Sequence, residues 1–190
     1  MLPDILITDK QWTPRDWAKC NDAARYFATN KVVWSVTDNI VKTYIGGKNQ
    51  HAEISRIDIP SIIAVTGPVD GANWKRNDSN FVDRQILYGR DLRLCAYCGD
   101  VFKDHELTID HIIPSSQNGP STWMNCVTAC GPCNKRKANR TPEKARMQLL
   151  YVPYIPNKFE KILLKGRNVL ADQMEFLMRK IPKSSRCWQN

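Results

Sequence analysis

Two hydrophobic periods alternate along the chain. Residues 2–8 are a short apolar run that predicts a strand. Thr13-Pro14-Arg15-Asp16 then has the composition of a helix start, with Thr13 as N-cap, Pro14 at the first helical position and Asp16 placed to reach back. Trp17, Cys20, Ala24 and Phe27 follow at helical spacing, which gives that helix one apolar face. Residues 31–36 (KVVWSV) and 53–59 (EISRIDI) alternate as strands do and are joined through Gly46-Gly47, with His51 read as an exposed loop residue beside that turn. Residues 67–80 are rich in Gly, Asn and Asp and read as a connection, and a short helix around 81–87 leads from it towards Arg90-Asp91. Near the end, Val169, Leu170, Gln173, Met174, Leu177 and Ile181 fall on one side of a helix over 168–180, with Arg167, Asp172, Glu175, Arg179 and Lys180 mostly on the other. Such a face suits packing on the body, binding DNA or pairing two chains. The pattern is that of an α+β protein in three parts: an α+β module over 1–80, a cysteine-rich core over 81–150 and a basic helical arm over 151–190.

Composition and charge narrow the classes. At 190 residues with 42% hydrophobic and 25% charged residues, the chain is one domain, or one domain with appendages, and is neither collagenous nor wholly disordered. The longest apolar runs are interrupted, as residues 59–65 are by Pro60 and Ser61, so no membrane span is expected. The opening residues have neither a positive n-region nor a long apolar h-region, and the chain reads as cytoplasmic. The formal net charge is +9, and it is unevenly placed: residues 1–133 hold 14 basic and 15 acidic side chains, residues 134–190 hold 14 and 4. A basic excess confined to the last third points to a polyanion such as DNA, with a solvated tail as the plain alternative.

Seven cysteines, an odd number, argue against a disulfide framework. Cys95/Cys98 and Cys130/Cys133 form two C-x2-C pairs with 31 residues between them. Two intervening residues let the backbone fold into a knuckle that aims both sulfurs at one ion, and Gly99 supplies the permissive backbone for the turn. Two knuckles make a closed, four-thiolate site for a structural Zn2+. Cys20, Cys126 and Cys187 have no partner at this spacing and read as small core residues.

Between the pairs lies LTIDHIIP, residues 107–114, a β-type run with an acid and a histidine adjacent inside it. Strand neighbours point to opposite faces, so Asp110 and His111 diverge unless the strand ends or bulges there. The residues CAYCG, LTIDHIIP, WMNCV, ACGPCNKRK and NRTPEKA together resemble the HNH endonucleases, whose fold is a ββα-metal core; the likeness is strong over 90–149. Gln11-Trp12-Thr13-Pro14 is similar, less specifically, to the region ahead of that core in one bacterial and phage branch.

The resemblance implies a metal-dependent hydrolysis of DNA phosphodiesters to 5′-phosphate and 3′-hydroxyl ends, in a bacterial cell and as a host or phage product. It implies His111 as general base, a role suited to an imidazole titrating near neutrality. Asp110 and Asn134 would hold one Mg2+ or Mn2+ through oxygen, and Asn125 would orient the imidazole through its side-chain carbonyl. Lys135, Arg136, Lys137 and Arg140 would meet phosphate, with a solvated helix face as the alternative. Asn134 stands where the family name has histidine, and Gln117-Asn118-Gly119 stands where many relatives have two glycines; Asn118 tolerates positive φ. His105 reads as an exposed turn residue. One such site cuts one strand at a time, so double-strand cleavage requires a homodimer or successive nicks. The rival reading is a non-catalytic zinc module that only binds nucleic acid, which would not require Asp110, His111, Asn125 and Asn134.

Overall fold

Asp9 decides how the chain begins. In the computed structural model, which describes residues 2–48, 54–67, 82–166 and 168–189, its carboxylate accepts the N–H groups of Gln11 and Thr13, both at 2.9 Å, and Trp12 takes a left-handed φ of 61°. This Asx-type turn folds β1 (Ile5–Thr8) back on β2 (Pro14–Ala18) as an antiparallel pair. The helix start expected at Thr13-Pro14 is therefore a strand start, where a proline's missing donor is tolerated. Helix α1 (Cys20–Ala28) begins six residues later, after Lys19, and buries Cys20, Ala23 and Tyr26.

The described residues fall into two compact units, one within the ranges 1–77 and 166–180 and the other within 78–165 and 181–190. In the first, β1 also pairs in parallel with β6 (Ile62–Val65), and β6 pairs antiparallel with β3 (Val32–Ser35), giving the order β2-β1-β6-β3. Cys20, Ala23 and Tyr26 of α1 share one core with Ile5, Ile7, Ile63 and Val65 of this sheet and with Ile59. A separate two-stranded ribbon joins β4 (Ile40–Lys48) to β5 (Ile54–Pro60). Gly46-Gly47 lies inside β4, at a register irregularity between Ile45 and Lys48, rather than in the connection. His51 and residues 68–80 lie outside the described residues.

The segment read as one arm contributes to both units. Its last helix, Ala171–Met178, belongs to the first, where Gln173 is fully buried and donates to the carbonyls of Asp4 and Ser61, both at 2.8 Å. Asp172, expected on the polar side, accepts from the amide of Asn39 and the hydroxyl of Ser61. Met174, expected on the apolar side, is exposed. No helix among the described residues is long and apolar enough to cross a membrane.

The second unit begins with α2 (Arg84–Arg90), capped by Asp83, whose carboxylate accepts from the N–H groups of Gln85 and Ile86. An antiparallel hairpin follows, β7 (Leu107–His111) on β8 (Cys126–Cys130), and then α3 (Gly131–Lys137) and α4 (Pro142–Ala145), the latter capped by Thr141 as its sequence predicts. This is a mixed α+β chain with a ββα unit at the cysteine-rich core. A helix that the pattern did not predict, α5 (Lys158–Lys165), buries Ile162 and Leu163, and Leu164 packs on the cluster of Ile86, Leu87, Trp123 and Cys126. The final helix of the first unit is α6.

Arg90 is the hub of this second core. It is fully buried, and all five of its N–H donors are used: two on Asp91 (2.8 and 3.1 Å) and one each on the carbonyls of Trp123, Tyr154 and Cys126 (2.8, 2.8 and 2.9 Å). Asp91 also accepts from the Thr128 N–H at 2.9 Å and from Arg186 at 3.1 Å, which ties the last residues of the chain to the hairpin.

Candidate active site

The four paired cysteines converge. Their sulfur atoms all lie within 4.8 Å of one another, close to the edge of about 3.8 Å that a tetrahedral site with 2.3 Å Zn–S bonds requires. Gly99 takes a φ of 81°, and its N–H closes the first knuckle on the carbonyl of Cys95 at 3.0 Å. Burial opposes ionisation of Cys95, but the N–H groups of Cys130, Cys98 and Tyr97 outweigh it and hold its thiol below the ordinary value. Burial first, and then neighbouring cysteines, push Cys98 up to about 12 and Cys133 up to about 11. Four thiols gathered around one point are a set that a divalent cation can draw into the thiolate form together. Cys20, Cys126 and Cys187 are buried as expected of core residues.

The second knuckle runs directly from β8 into α3, so whatever fixes Cys130 and Cys133 also fixes the helix that crosses β7. Thr108 and Asp110 share the face of β7 turned to this helix. Asn134 donates its amide to Thr108 Oγ1 at 2.9 Å, and its Oδ1 has no partner among the described residues. One turn on, Lys137 reaches Asp110. Its ammonium lies 3.0 Å from Asp110 Oδ1 and 2.7 Å from the carbonyl of His111, and both side chains are almost wholly buried. Tyr97, from between the first pair of cysteines, donates to the other Asp110 oxygen. Burial, followed by the bond to Asp110 and its charge, pushes the Tyr97 phenol well above its ordinary range, so it stays a donor.

His111 ends β7 opposite Cys126, and its ring takes the other face, as strand alternation requires. Its Nε2 lies 2.8 Å from Ser121 Oγ. Asn125 makes no hydrogen bond to the ring. It is buried, its side-chain carbonyl accepts from the Ile113 N–H (2.9 Å), and its amide donates to the carbonyls of Ile113 and Pro120 (3.0 and 2.9 Å). The Ile112 N–H adds a bond to its main-chain carbonyl at 2.8 Å. Asn125 therefore staples the loop after His111 shut rather than orienting the imidazole directly. Gly119 packs inside that loop, where a Cβ would stand 1.7 Å from the Ile113 carbonyl oxygen. Asn118 has a φ of 61°, the conformation asparagine accepts.

The basic residues after Asn134 divide. Lys135 and Arg136 are exposed. Arg140 is exposed too, but its guanidinium donates to the carbonyls of Lys137 and Arg136 and so caps α3. Lys137 does not face solvent: its charge is satisfied inside the protein, and it is not free to meet a phosphate. His105 is an exposed turn residue. The residues that spacing did not identify are Ser121 and Tyr97. Tyr97 carried a weak signal as an aromatic between two cysteines, and Ser121 carried none beyond its polar loop.

A hairpin ending in Asp-His, a helix locked across it and, at the helix start, four thiols that could hold a metal ion make up a ββα unit. Residues 95–140, from the first knuckle to just beyond α3, match the family model for HNH endonuclease, so the chain contains an HNH domain there. No curated protein matches the chain.

Proposed function

We propose that the protein is a metal-dependent endonuclease that hydrolyses DNA phosphodiesters to 5′-phosphate and 3′-hydroxyl ends. The observation that carries this reading is that Asp110 and His111 stand next to each other at the end of β7, inside the matched domain, with Asn134 of the following helix bonded to Thr108 of the same strand. His111 accepts the proton of the attacking water. The Asp110 carboxylate and the Asn134 carbonyl are oxygen donors of the kind a hard cation takes; they would hold Mg2+ or Mn2+, which would supply Lewis-acid stabilisation of the departing 3′ oxygen. Tyr97 and Lys137 fix the carboxylate, and Lys135 and Arg136, with the outer edge of Arg140, are the charges that meet neighbouring phosphates. Zn2+ at Cys95, Cys98, Cys130 and Cys133 is structural, since four protein ligands leave no open position. The family resemblance supports action in a bacterial cell.

Supercoiled plasmid incubated with the protein and Mg2+ or Mn2+ tests the reading. Nicked or linear product is expected, and His111→Ala should reduce its rate by at least about 100-fold. Full activity in that variant excludes His111 as base. Binding of the plasmid without cleavage under either ion would favour the zinc-module reading.

A further inference from the structure

The imidazole of His111 is held by a residue that neither motif spacing nor the family match singles out. Ser121 Oγ stands 2.8 Å from Nε2, while Nδ1 has no partner among the described residues. The place of Ser121 is set on both sides. Pro120 before it is held through its carbonyl by the Asn125 amide at 2.9 Å. Thr122 after it accepts the N–H groups of Asn125 and Cys126 at 3.0 and 2.9 Å. The main chain of His111 is equally fixed, paired with Cys126 and bonded through its carbonyl to Lys137. Two anchored backbones thus face each other across one side-chain hydrogen bond.

We infer that Ser121 is the positioning residue of His111: its hydroxyl oxygen accepts the Nε2 proton and leaves the Nδ1 lone pair as the base. A neutral imidazole has one proton and one lone pair. Were Ser121 the donor, the lone pair at Nε2 would be occupied and Nδ1 protonated, and no nitrogen could take a proton from water. With Ser121 as acceptor, the ring is fixed in the Nε2–H tautomer and Nδ1 is available. A water proton then passes to Nδ1, the water oxygen bonds to phosphorus, the P–O3′ bond breaks, and the departing oxygen takes a proton from solvent. Asn125 acts on the ring only through the loop that carries Ser121. The tautomer and the catalytic half of this inference rest on the nuclease reading; the contact between Ser121 and Nε2 does not.

The test uses zinc-loaded full-length protein with 15N-labelled histidine, observed by long-range 1H–15N correlation at about pH 8.5, where an ordinary imidazole is neutral. The chain has three histidines, and the His111 signals are those missing from His111→Gln. Wild type should show Nε2 protonated and Nδ1 bare. Ser121→Ala should move both shifts towards the average of the two tautomers and lower kcat on plasmid about 10-fold with KM unchanged, while Ser121→Thr restores shifts and rate. Nδ1–H in the wild type overturns the inference. So does an alanine variant with wild-type shifts, whatever its rate. Shifts that move without any loss of kcat overturn the catalytic half alone. Absence of cleavage by wild type with both Mg2+ and Mn2+ would defeat the nuclease reading, and the ring shifts would still decide the contact.

Discussion

Lys137→Met separates an internal lysine from a phosphate-binding one. The substitution keeps an unbranched apolar stem of similar length, so little cavity is opened. It removes the ammonium from two contacts, at 3.0 Å to Asp110 and 2.7 Å to the His111 carbonyl. Asp110, 5% exposed, would then keep, among the described residues, only the Tyr97 hydroxyl against the cost of burying its charge. Hydrogen bonds to charged groups contribute about 1.5–3 kcal/mol each, and breaking a buried pair from one side costs about 3–5 kcal/mol. The two estimates agree. At an m-value of about 2 kcal/mol/M, the urea midpoint of the zinc-loaded protein should fall by roughly 2 M. A solvated lysine would cost less than about 0.5 kcal/mol.

A double-mutant cycle with Asp110→Asn isolates the pair. The double variant should be at least about 2 kcal/mol more stable than the summed single effects predict, because neither buried charge is left alone. DNA binding supplies an independent reading. Lys135→Ala and Arg136→Ala should each reduce the slope of log K against log salt by about 0.9, whereas Lys137→Met should leave the slope unchanged while the fold is intact. A Lys137→Met midpoint within about 0.5 M of wild type, together with a reduced salt slope, would refute the internal role and restore the phosphate contact.

Four further outcomes rest on the same geometry. Gly119→Ala places a methyl 1.7 Å from the Ile113 carbonyl oxygen, so the loop must open; a loss of about 1–3 kcal/mol in urea unfolding is expected, and a midpoint equal to wild type would show that the loop yields freely. Chelation of Zn2+ should unfold the second unit as followed by circular dichroism. Because Cys98 and Cys133 are pushed up to about 12 and about 11, they are protonated at neutral pH in the metal-free protein and binding must release their protons. Affinity should therefore rise from pH 6 to pH 8 in a competition titration with a zinc indicator, and a flat profile would contradict it. Arg186→Ala removes a half-buried bond to Asp91, which keeps Arg90 and the Thr128 N–H; a smaller loss of about 1–2 kcal/mol is expected by thermal unfolding, and no loss would mean the chain end does not brace the hairpin.

Much of the second unit was legible because its constraints are local. A C-x2-C knuckle with glycine after it has few ways to fold, and Thr141-Pro142-Glu143 starts its helix as capping rules require. The beginning of the chain misled because Thr13-Pro14 satisfies the rules for two structures. Asp9, four residues upstream, decides between them by accepting the Thr13 N–H, and a side chain turned back on its own loop leaves no periodic trace. β4 escaped notice for a related reason, since Gly46-Gly47 within it has the composition of a connection.

The site shows a sharper limit. The resemblance named candidates for it, and strand alternation and helix periodicity fix where each Cβ points. It did not identify what each polar head meets. Lys135, Arg136 and Lys137 are consecutive basic residues on one helix, yet a rotation of about 100° per residue turns only the last onto Asp110. Asn125 likewise has the position the resemblance implies, but its carbonyl is taken by Ile113. Both differences have the same cause: a buried polar group is claimed by whichever partner can satisfy it without water, and the nearest unpaired groups here belong to the main chain of the loop and to a carboxylate. The result is a division of labour in which Asn125 and Lys137 hold backbone and carboxylate still, while His111 turns one nitrogen to Ser121 and leaves the other free.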